Sequence, residues 1–229
     1  MNPEQLVFKL GKKSMLSRDQ LFRSLSNDFA LNVIENYGNW PQNKLILVGP
    51  QGCGKTHISS ILMTELNGLL FSAKEFDIRS IPSAKKPSII IIEDMDQLGK
   101  HNEESMQLAE EGIFHLLVKF QNSESKILFT ACENLPLWNI KLPDLSSRLK
   151  TLSVVKIENP DDQLFLNLIV KFFSEKQLNV SPPVVNYIAS RIERTYLSAQ
   201  NVVNMIDSKA LKEKRELTLA LVKSVLGEE

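Results

Sequence analysis

The sequence lacks the features that mark secreted or membrane-spanning proteins. It has only two cysteines in 229 residues, Cys53 and Cys132, which are too few for a disulfide framework and do not have the paired spacing of a zinc site. No basic flank followed by an apolar stretch begins the chain, so no signal peptide is predicted. The longest purely aliphatic run, residues 89–92, is far shorter than the roughly 20 residues of a membrane span. The sequence therefore predicts a reduced cytoplasmic protein without a membrane partner.

An excess of charge of one sign is also absent. Lys plus Arg and Asp plus Glu number 27 each, so the formal net charge is zero. Domains that bind the DNA backbone usually have a basic excess or a basic face. The composition excludes an overall basic excess but not a local basic face. The three histidines, His57, His101 and His115, show no metal-ligand spacing.

Short apolar segments alternate with amphipathic ones over the first two thirds of the chain. The predicted strands are residues 44–48, 69–71, 88–92, 126–130 and 152–157. The predicted helices between them are residues 28–37, 56–66 and 103–120. This alternation predicts a doubly wound α/β fold with a parallel sheet.

The pattern changes at Asn159-Pro160, beyond which no convincing strand is found. Helices are predicted over residues 161–175, from residue 181, and over residues 199–214 and 218–226. The predicted organisation is therefore a tail (residues 1–16), an α/β domain (residues 17–158) and a helical domain (residues 159–229).

A glycine-rich turn between a predicted strand and a predicted helix fits the P-loop pattern G-x-x-x-x-G-K-[ST] in full. The turn consists of Gly49, Pro50, Gln51, Gly52, Cys53, Gly54, Lys55 and Thr56. In such a turn, backbone N–H groups surround the β-phosphate, the lysine reaches the β- and γ-oxygens, and the threonine hydroxyl holds Mg²⁺. The helix N-terminus adds partial positive charge. We expect ATP or ADP with Mg²⁺ here, and the alternative is a chance glycine turn.

Two acids follow an aliphatic strand, as in the motif that accompanies a P-loop. Glu93 and Asp94 come directly after residues 89–92 and are expected at the carboxyl edge of the sheet. Glu93 is the candidate Mg²⁺ ligand, and Asp94 is the candidate catalytic residue that polarises the attacking water. The order is unusual, because Asp normally comes first. The alternative is that both acids only end the strand.

Cys53 lies inside the predicted phosphate turn, where backbone N–H groups are expected to lower the pKa of its thiol. An oxidisable cysteine would follow from that shift. The alternative, which we favour, is a small residue that fits the turn.

Taken together, these motifs resemble the AAA+ ATPases, and within them the DnaA-related proteins. The resemblance includes the P-loop, the aliphatic-acidic strand, the sensor-one region around Thr130 and Cys132, the segment 142–149, and a helical lid that ends in residues 217–223. It covers roughly residues 17–229. It implies an AAA+ P-loop NTPase fold with a parallel β-sheet core followed by a C-terminal α-helical lid domain. The initiator DnaA continues from its lid into a helix-turn-helix domain, whereas this sequence ends with the lid. We therefore expect no base-specific DNA-binding domain.

The tail contains a second recognisable pattern. Gln5, Leu6, Phe8 and Leu10 have the spacing of a sliding-clamp-binding motif, in which alternate apolar anchors of an extended peptide fill a groove. An edge strand of the domain would show the same alternation. Joined to a DnaA-like body, the pattern resembles the Hda-type regulatory inactivators of DnaA, in their alphaproteobacterial form. That family implies two partners, DnaA and the DNA polymerase III sliding clamp.

The resemblance implies that Arg148 is an arginine finger that acts in trans on the ATP of DnaA. A guanidinium in that position stabilises charge on a neighbour's γ-phosphate. The alternatives are a solvated helix residue or an i,i+4 pair with Asp144.

Hydrolysis by the chain itself is expected to be slow or absent. Cys132 stands where DnaA has a sensor-one Asp, with Thr130 as a partial substitute. Leu197 or a neighbour stands at the sensor-two position, with Arg194 as the nearest cation. The resemblance therefore implies stable binding of ADP or ATP by a negative regulator of replication initiation. A DnaC-type helicase loader and a motor ATPase are the alternatives, and a homodimer is left open.

Overall fold

The computed structural model describes residue 18 and residues 21–82, 86–100 and 103–227. A five-stranded parallel sheet forms the centre, in the order β2-β3-β4-β1-β5. The strands are β1 (Lys44–Val48), β2 (Leu69–Ser72), β3 (Ile89–Glu93), β4 (Lys126–Ala131) and β5 (Ser153–Lys156). Every residue of β1 and β3 is buried, as expected for strands that are covered on both faces.

Four helices cover the two faces of the sheet. They are α1 (Asp28–Glu35), α2 (Lys55–Glu65), α3 (Glu103–Lys119) and α4 (Pro143–Leu149). Helices α1 and α2 share an apolar core with Leu45, Leu47 and Ile91 on one face. Helices α3 and α4 share a second core with Ile46 and Ile90 on the other face. The alternating side chains of each strand thus contribute to two separate cores.

Four further helices follow the last strand and have a third core. They are α5 (Asp162–Glu175), α6 (Pro182–Ala189), α7 (Tyr196–Glu213) and α8 (Leu219–Leu226). Side chains of Asp161, Thr195 and Thr218 accept backbone N–H groups at the starts of α5, α7 and α8. Leu164 and Leu168 of α5 belong to the core beneath α1 and α2, whereas Phe165 and Ile169 belong to the third core. Helix α5 therefore joins the helical region to the sheet.

The predicted α/β fold with a helical region after it is confirmed. The start of α7 is the clearest error, since the structure begins this helix at Tyr196 and the sequence predicted residue 199. Its capping box pairs Thr195 with Ser198 instead of the usual Glu or Gln, so the start signal was missed. The domain bounds 1–16, 17–158 and 159–229 stay a prediction. Among the described helices, none combines the length and the apolar character needed to cross a membrane.

Gly68, which joins α2 to β2, lies too close to Ile89 of β3 to carry a side chain. A Cβ atom there would lie 2.2 Å from Cγ2 and 2.7 Å from the carbonyl oxygen of Ile89. We expect Gly68→Ala to lower the free energy of unfolding by about 1–3 kcal/mol, because the backbone must shift. Urea denaturation measures this change.

Gly38→Ala is the matched control, because a Cβ atom there meets nothing within 4 Å. We expect its stability to stay within about 0.5 kcal/mol of the wild type. Equal stabilities of the two variants would contradict the close packing at Gly68.

Candidate nucleotide-binding site

Three glycines shape the turn between β1 and α2. Gly52 and Gly54 have φ angles of 84° and 97°, a region that strains any residue with a side chain. A Cβ atom on Gly49 would lie 2.7 Å from Sγ of Cys53. The glycines of the predicted P-loop are therefore required by the backbone that the structure shows.

Lys55 connects this turn to the end of β4. Its side chain is buried, and Nζ donates to the carbonyl oxygens of Gly49 at 2.7 Å and Pro50 at 3.1 Å. The same Nζ lies 3.3 Å from Sγ of Cys132. The Lys55 ammonium is thus held at the carboxyl edge of the sheet, between β1 and β4. Thr56 follows it and is exposed.

Glu93 and Thr130 lie next to each other at the same edge. Ile92 pairs with Phe129 in the parallel register of β3 and β4, so Glu93 and Thr130 are the next residues of neighbouring strands. Both side chains are buried, and Oε1 of Glu93 and Oγ1 of Thr130 have no hydrogen-bond partner within the described residues. Burying an unpaired oxygen is costly, which favours a ligand that pairs with these oxygens.

A polar cavity of about 880 Å³ opens beside the turn. Its lining residues are Val48, Gly49, Pro50, Gln51, Asp94, Asp96, Gln97, Cys132, Glu133, Asn134, Lys156, Ile157, Glu158 and Asn159. Asp94 is exposed in this cavity and has a φ angle of 60°, which turns the chain sharply away from β3. The structure therefore separates the two predicted acids into a buried Glu93 and an accessible Asp94.

Asp96 also lines this cavity, although it was not among the site residues predicted from the sequence. It is 5% exposed, and its Oδ1 accepts the backbone N–H of Cys132 at 2.9 Å. Its Oδ2 accepts from the side chain of Gln97 at 2.9 Å. The carboxylate ties the chain after β3 to the end of β4. Asp96 could have been predicted from the sequence, because it is a third acid that follows Asp94 by two residues.

The expectation of a lowered pKa at Cys53 is wrong. Burial raises the pKa of its thiol to about 11, although the Lys55 ammonium acts in the opposite direction. The thiol packs in the apolar core beneath α2 with Ile58 and Ile157. Desolvation of the thiolate exceeds the attraction of the nearby N–H groups and ammonium, so Cys53 is a small residue that fits the turn.

The helical region meets the P-loop at the start of α7. A Cβ atom on Gly52 would lie 3.2 Å from Cβ of Tyr196 and 3.7 Å from the backbone nitrogen of Leu197. Burial raises the pKa of the Tyr196 phenol. Arg194, the nearest cation in the sequence, forms an ion pair with Asp162. The structure thus places Leu197 beside the phosphate turn and holds Arg194 on an acid of α5.

Arg148 does not line the cavity at the P-loop. It lies near the end of α4, and its guanidinium is 5.4 Å from the ring centroid of Phe114 on α3. Within the described part of the chain, Arg148 forms no ion pair with Asp144 or any other acid. The i,i+4 alternative considered from the sequence is therefore not what the structure shows. Gln5, Leu6, Phe8 and Leu10 lie outside the described residues.

The residues at the turn fit a magnesium nucleotide. A strained glycine turn, a buried ammonium and the unpaired oxygens of Glu93 and Thr130 meet at one edge of the sheet. Among the described residues, no group of three or more His, Cys, Asp or Glu side chains could hold a metal by itself. Mg²⁺ at such sites binds one or two protein oxygens, phosphate oxygens and water, so Thr56 and Glu93 would suffice.

Two family models match the chain. Residues 45–156 match the model described as the ATPase family associated with various cellular activities (AAA). Residues 163–226 match the model described as the Hda lid domain. Most of the sheet, the P-loop and the helical region are thus matched.

The chain is similar to DnaA initiators in sequence and in fold. It is 23% identical over 225 residues to DnaA of Aliarcobacter butzleri, which covers 89% of this chain and 50% of the initiator. The chain thus spans about half the length of the curated DnaA proteins it matches.

Two solved structures show the same fold at low sequence identity. Domain III of DnaA from Thermotoga maritima has a TM-score of 0.74 and 18% identity, covering 93% of this chain and 96% of that one. The AMPPCP-bound DnaA from Aquifex aeolicus has a TM-score of 0.65 and 17% identity. The match covers 89% of this chain and 68% of that one. These similarities show that the chain shares the fold of DnaA domain III.

The raised pKa of Cys53 predicts a slow reaction with alkylating reagents. At pH 8 only about one thiol in a thousand is ionised when its pKa is about 11. In a Cys132→Ser variant, the rate of iodoacetamide labelling at Cys53 should rise about tenfold per pH unit between pH 7 and pH 9. The denatured variant is the control and should react fast at pH 8. A rate that levels off below pH 8 would show a lowered pKa and contradict the burial argument.

Proposed function

This chain belongs to the DnaA-related AAA+ ATPases and carries an Hda-type lid, and we propose on that premise that it is a negative regulator of replication initiation. Bound to the DNA polymerase III sliding clamp, it docks on ATP-bound DnaA and stimulates hydrolysis of that ATP. DnaA left with ADP no longer starts replication. Such a switch acts through the loss of a γ-phosphate.

The observation that carries the proposal is the placement of Arg148 away from its own P-loop. Helix α4 packs with α3 on the face of the sheet opposite α2, the helix that follows the P-loop. Arg148 is half-buried there and rests on the Phe114 ring. An aromatic ring beneath a guanidinium restrains it without neutralising its charge. The cation therefore stays available to a second molecule.

When a partner's ATP is hydrolysed, the transition state spreads negative charge over the equatorial oxygens of the γ-phosphoryl group, which passes from ADP to water. The Arg148 guanidinium would stabilise that charge through directed N–H donors, an effect worth about 10³–10⁵ in rate for arginine fingers. This gain requires a fixed position, because each donor must meet its oxygen in the transition state. The Phe114 contact supplies part of that fixation.

The chain's own P-loop binds ADP or ATP with Mg²⁺ in this proposal. Lys55 would exchange its contacts with Gly49 and Pro50 for phosphate oxygens, and Thr56 and Glu93 would hold the metal. The AMPPCP-bound DnaA that shares this fold supports a nucleotide here. A bound Mg²⁺ neutralises phosphate charge.

Turnover at this site is slow or absent for two structural reasons. Cys132 offers Lys55 a thiol where a carboxylate could orient water, and Leu197 stands next to Gly52 where a cation could reach a γ-phosphate. Asp94, which is exposed in the cavity, is the candidate base. The site therefore serves to hold a nucleotide and stabilise the fold, since a ligand that binds only the folded state stabilises it.

Arg148→Ala should abolish stimulation of ATP hydrolysis by DnaA, with a loss on the order of 10³-fold in the stimulated rate. The assay measures phosphate release by the cognate DnaA in the presence of DNA-loaded clamp, with and without this protein. ADP binding by the variant should be unchanged, because Arg148 does not line its own cavity.

Lys150→Ala is the control for a general loss of positive charge on this surface, since Lys150 is exposed two residues further on. It should retain most of the stimulation. Full activity of Arg148→Ala, or no stimulation by the wild type, would refute the regulatory proposal.

The clamp contact predicts a difference between neighbouring tail residues. In an extended peptide, Leu6, Phe8 and Leu10 point to one side and Val7 to the other. Phe8→Ala should weaken binding to purified sliding clamp about 30-fold, as expected for a buried aromatic anchor. Val7→Ala, the matched control, should bind almost normally. Equal effects of the two changes would argue against this binding mode.

A further inference from the structure

Glu110 is an ionisable residue in the interior of the protein that the nucleotide site does not use. It lies in the middle of α3 and is only 2% exposed. Its Oε1 accepts the backbone N–H of Lys141 at 3.0 Å. Its Oε2 accepts the N–H groups of Leu142 at 2.7 Å and Lys141 at 3.2 Å. A buried carboxylate is costly unless it is hydrogen-bonded, and these contacts compensate for its burial.

The two amides that Glu110 binds belong to the chain that leads directly into α4. Leu142 immediately precedes the helix, and its carbonyl oxygen accepts the N–H of Ser146 at 3.0 Å. Fixing Leu142 therefore fixes where α4 begins. The far part of α4 is held by Leu149, which is fully buried in the core shared with α3.

Arg148 is held by the same face of α3. Phe114, whose ring lies 5.4 Å from the Arg148 guanidinium, follows Glu110 by four residues on this helix. Residues four apart lie one above the other on a helix surface. One stripe of α3 thus contacts both the start of α4, through Glu110, and its candidate finger, through Phe114.

From this geometry we propose that Glu110 is a positioning residue for Arg148. The inference rests on the proposed function, because it concerns the residue that would act on the partner's ATP. Glu110 holds the start of α4 against α3, which places the guanidinium over Phe114 and aims it outward. It touches neither nucleotide and acts only through α4.

Glu110→Gln is the informative change because it keeps the size of the side chain. The amide has one acceptor oxygen and one NH₂ group. With the oxygen in place of Oε2, the Lys141 N–H keeps only its 3.2 Å contact and meets the NH₂ group at the position from which Oε1 accepted it at 3.0 Å, a donor against a donor. The segment then shifts, and Arg148 moves with α4. A displacement of about 1 Å in catalytic geometry can cost about 100-fold.

The experiment compares purified full-length variants in the stimulation assay with DnaA and DNA-loaded clamp. Glu110→Gln should lower the maximal stimulated rate about 10- to 100-fold. The concentration needed for half-maximal stimulation and the affinity for ADP should stay unchanged. In an Arg148→Ala background, Glu110→Gln should cause no further loss, because both changes remove the same contribution.

Two controls separate positioning from a general loss of stability or charge. Glu111→Gln removes the neighbouring carboxylate on α3, which accepts a hydrogen bond from the Gln107 side chain at 2.9 Å, and should stimulate normally. Thr218→Ala removes the side-chain cap of α8, far along the chain from α4, and lowers stability without touching α3. Should Thr218→Ala lose as much stimulation as Glu110→Gln at equal Tm loss, the positioning role is wrong.

An NMR readout tests the placement of Arg148 independently of DnaA. The Nε–H signal of Arg148 should carry a ring-current shift from Phe114, identified as the shift lost in Phe114→Leu. Glu110→Gln should lose the same shift, whereas Glu111→Gln should keep it.

The outcomes distinguish this inference from the proposed function. A wild-type maximal rate together with a retained shift in Glu110→Gln overturns the positioning role and leaves the regulator intact. A change only in the half-maximal concentration also overturns it, since that result marks a binding residue. Absence of stimulation by the wild type refutes the proposed function, and the NMR shift alone then decides whether Glu110 places Arg148.

Discussion

The parallel pairing of β4 with β1 on one side and β3 on the other is the constraint on which the site depends. It brings three chain segments to one edge of the sheet: the glycine turn after β1, the acids after β3, and Cys132 after β4. Lys55 and Asp96 then tie these segments together, the first through Cys132 Sγ and the second through the Cys132 N–H. Without this register, the P-loop, Glu93 and Thr130 would not meet.

The two faces of the sheet carry different tasks in this account. One face packs α1, α2 and part of α5 around the core that contains Cys53 of the glycine turn. The other, with α3 and α4, presents Arg148 on Phe114 and fixes its helix through Glu110. Such a division suits a protein that retains its own nucleotide and acts on that of a partner. In that proposal, Cys132 and Leu197 weaken the chain's own ATP turnover, whereas action in trans needs only a rigid α4.

Local motifs could be predicted from the sequence, and contacts between distant segments could not. The P-loop and the residues around Glu93 were predictable because strand, turn and helix are contiguous, and the alternation of elements indicated the α/β fold. The pKa of Cys53 was mispredicted because the thiol is buried partly by Ile157, which directly follows β5 and lies far along the chain from Cys53. Asp96 and Glu110 were missed because their partners lie 36 and 31 or 32 residues away. The roles of the site residues and the clamp motif stay predictions.

The central claim, that Arg148 completes the ATP site of DnaA, is tested most directly by a structure of this protein bound to clamp, DnaA and a non-hydrolysable ATP analogue. The account predicts the Arg148 guanidinium within about 3 Å of a γ-phosphate oxygen on DnaA, with α4 still held by Glu110. Arg148 turned away from that phosphate in a complex that is otherwise competent for hydrolysis would contradict it.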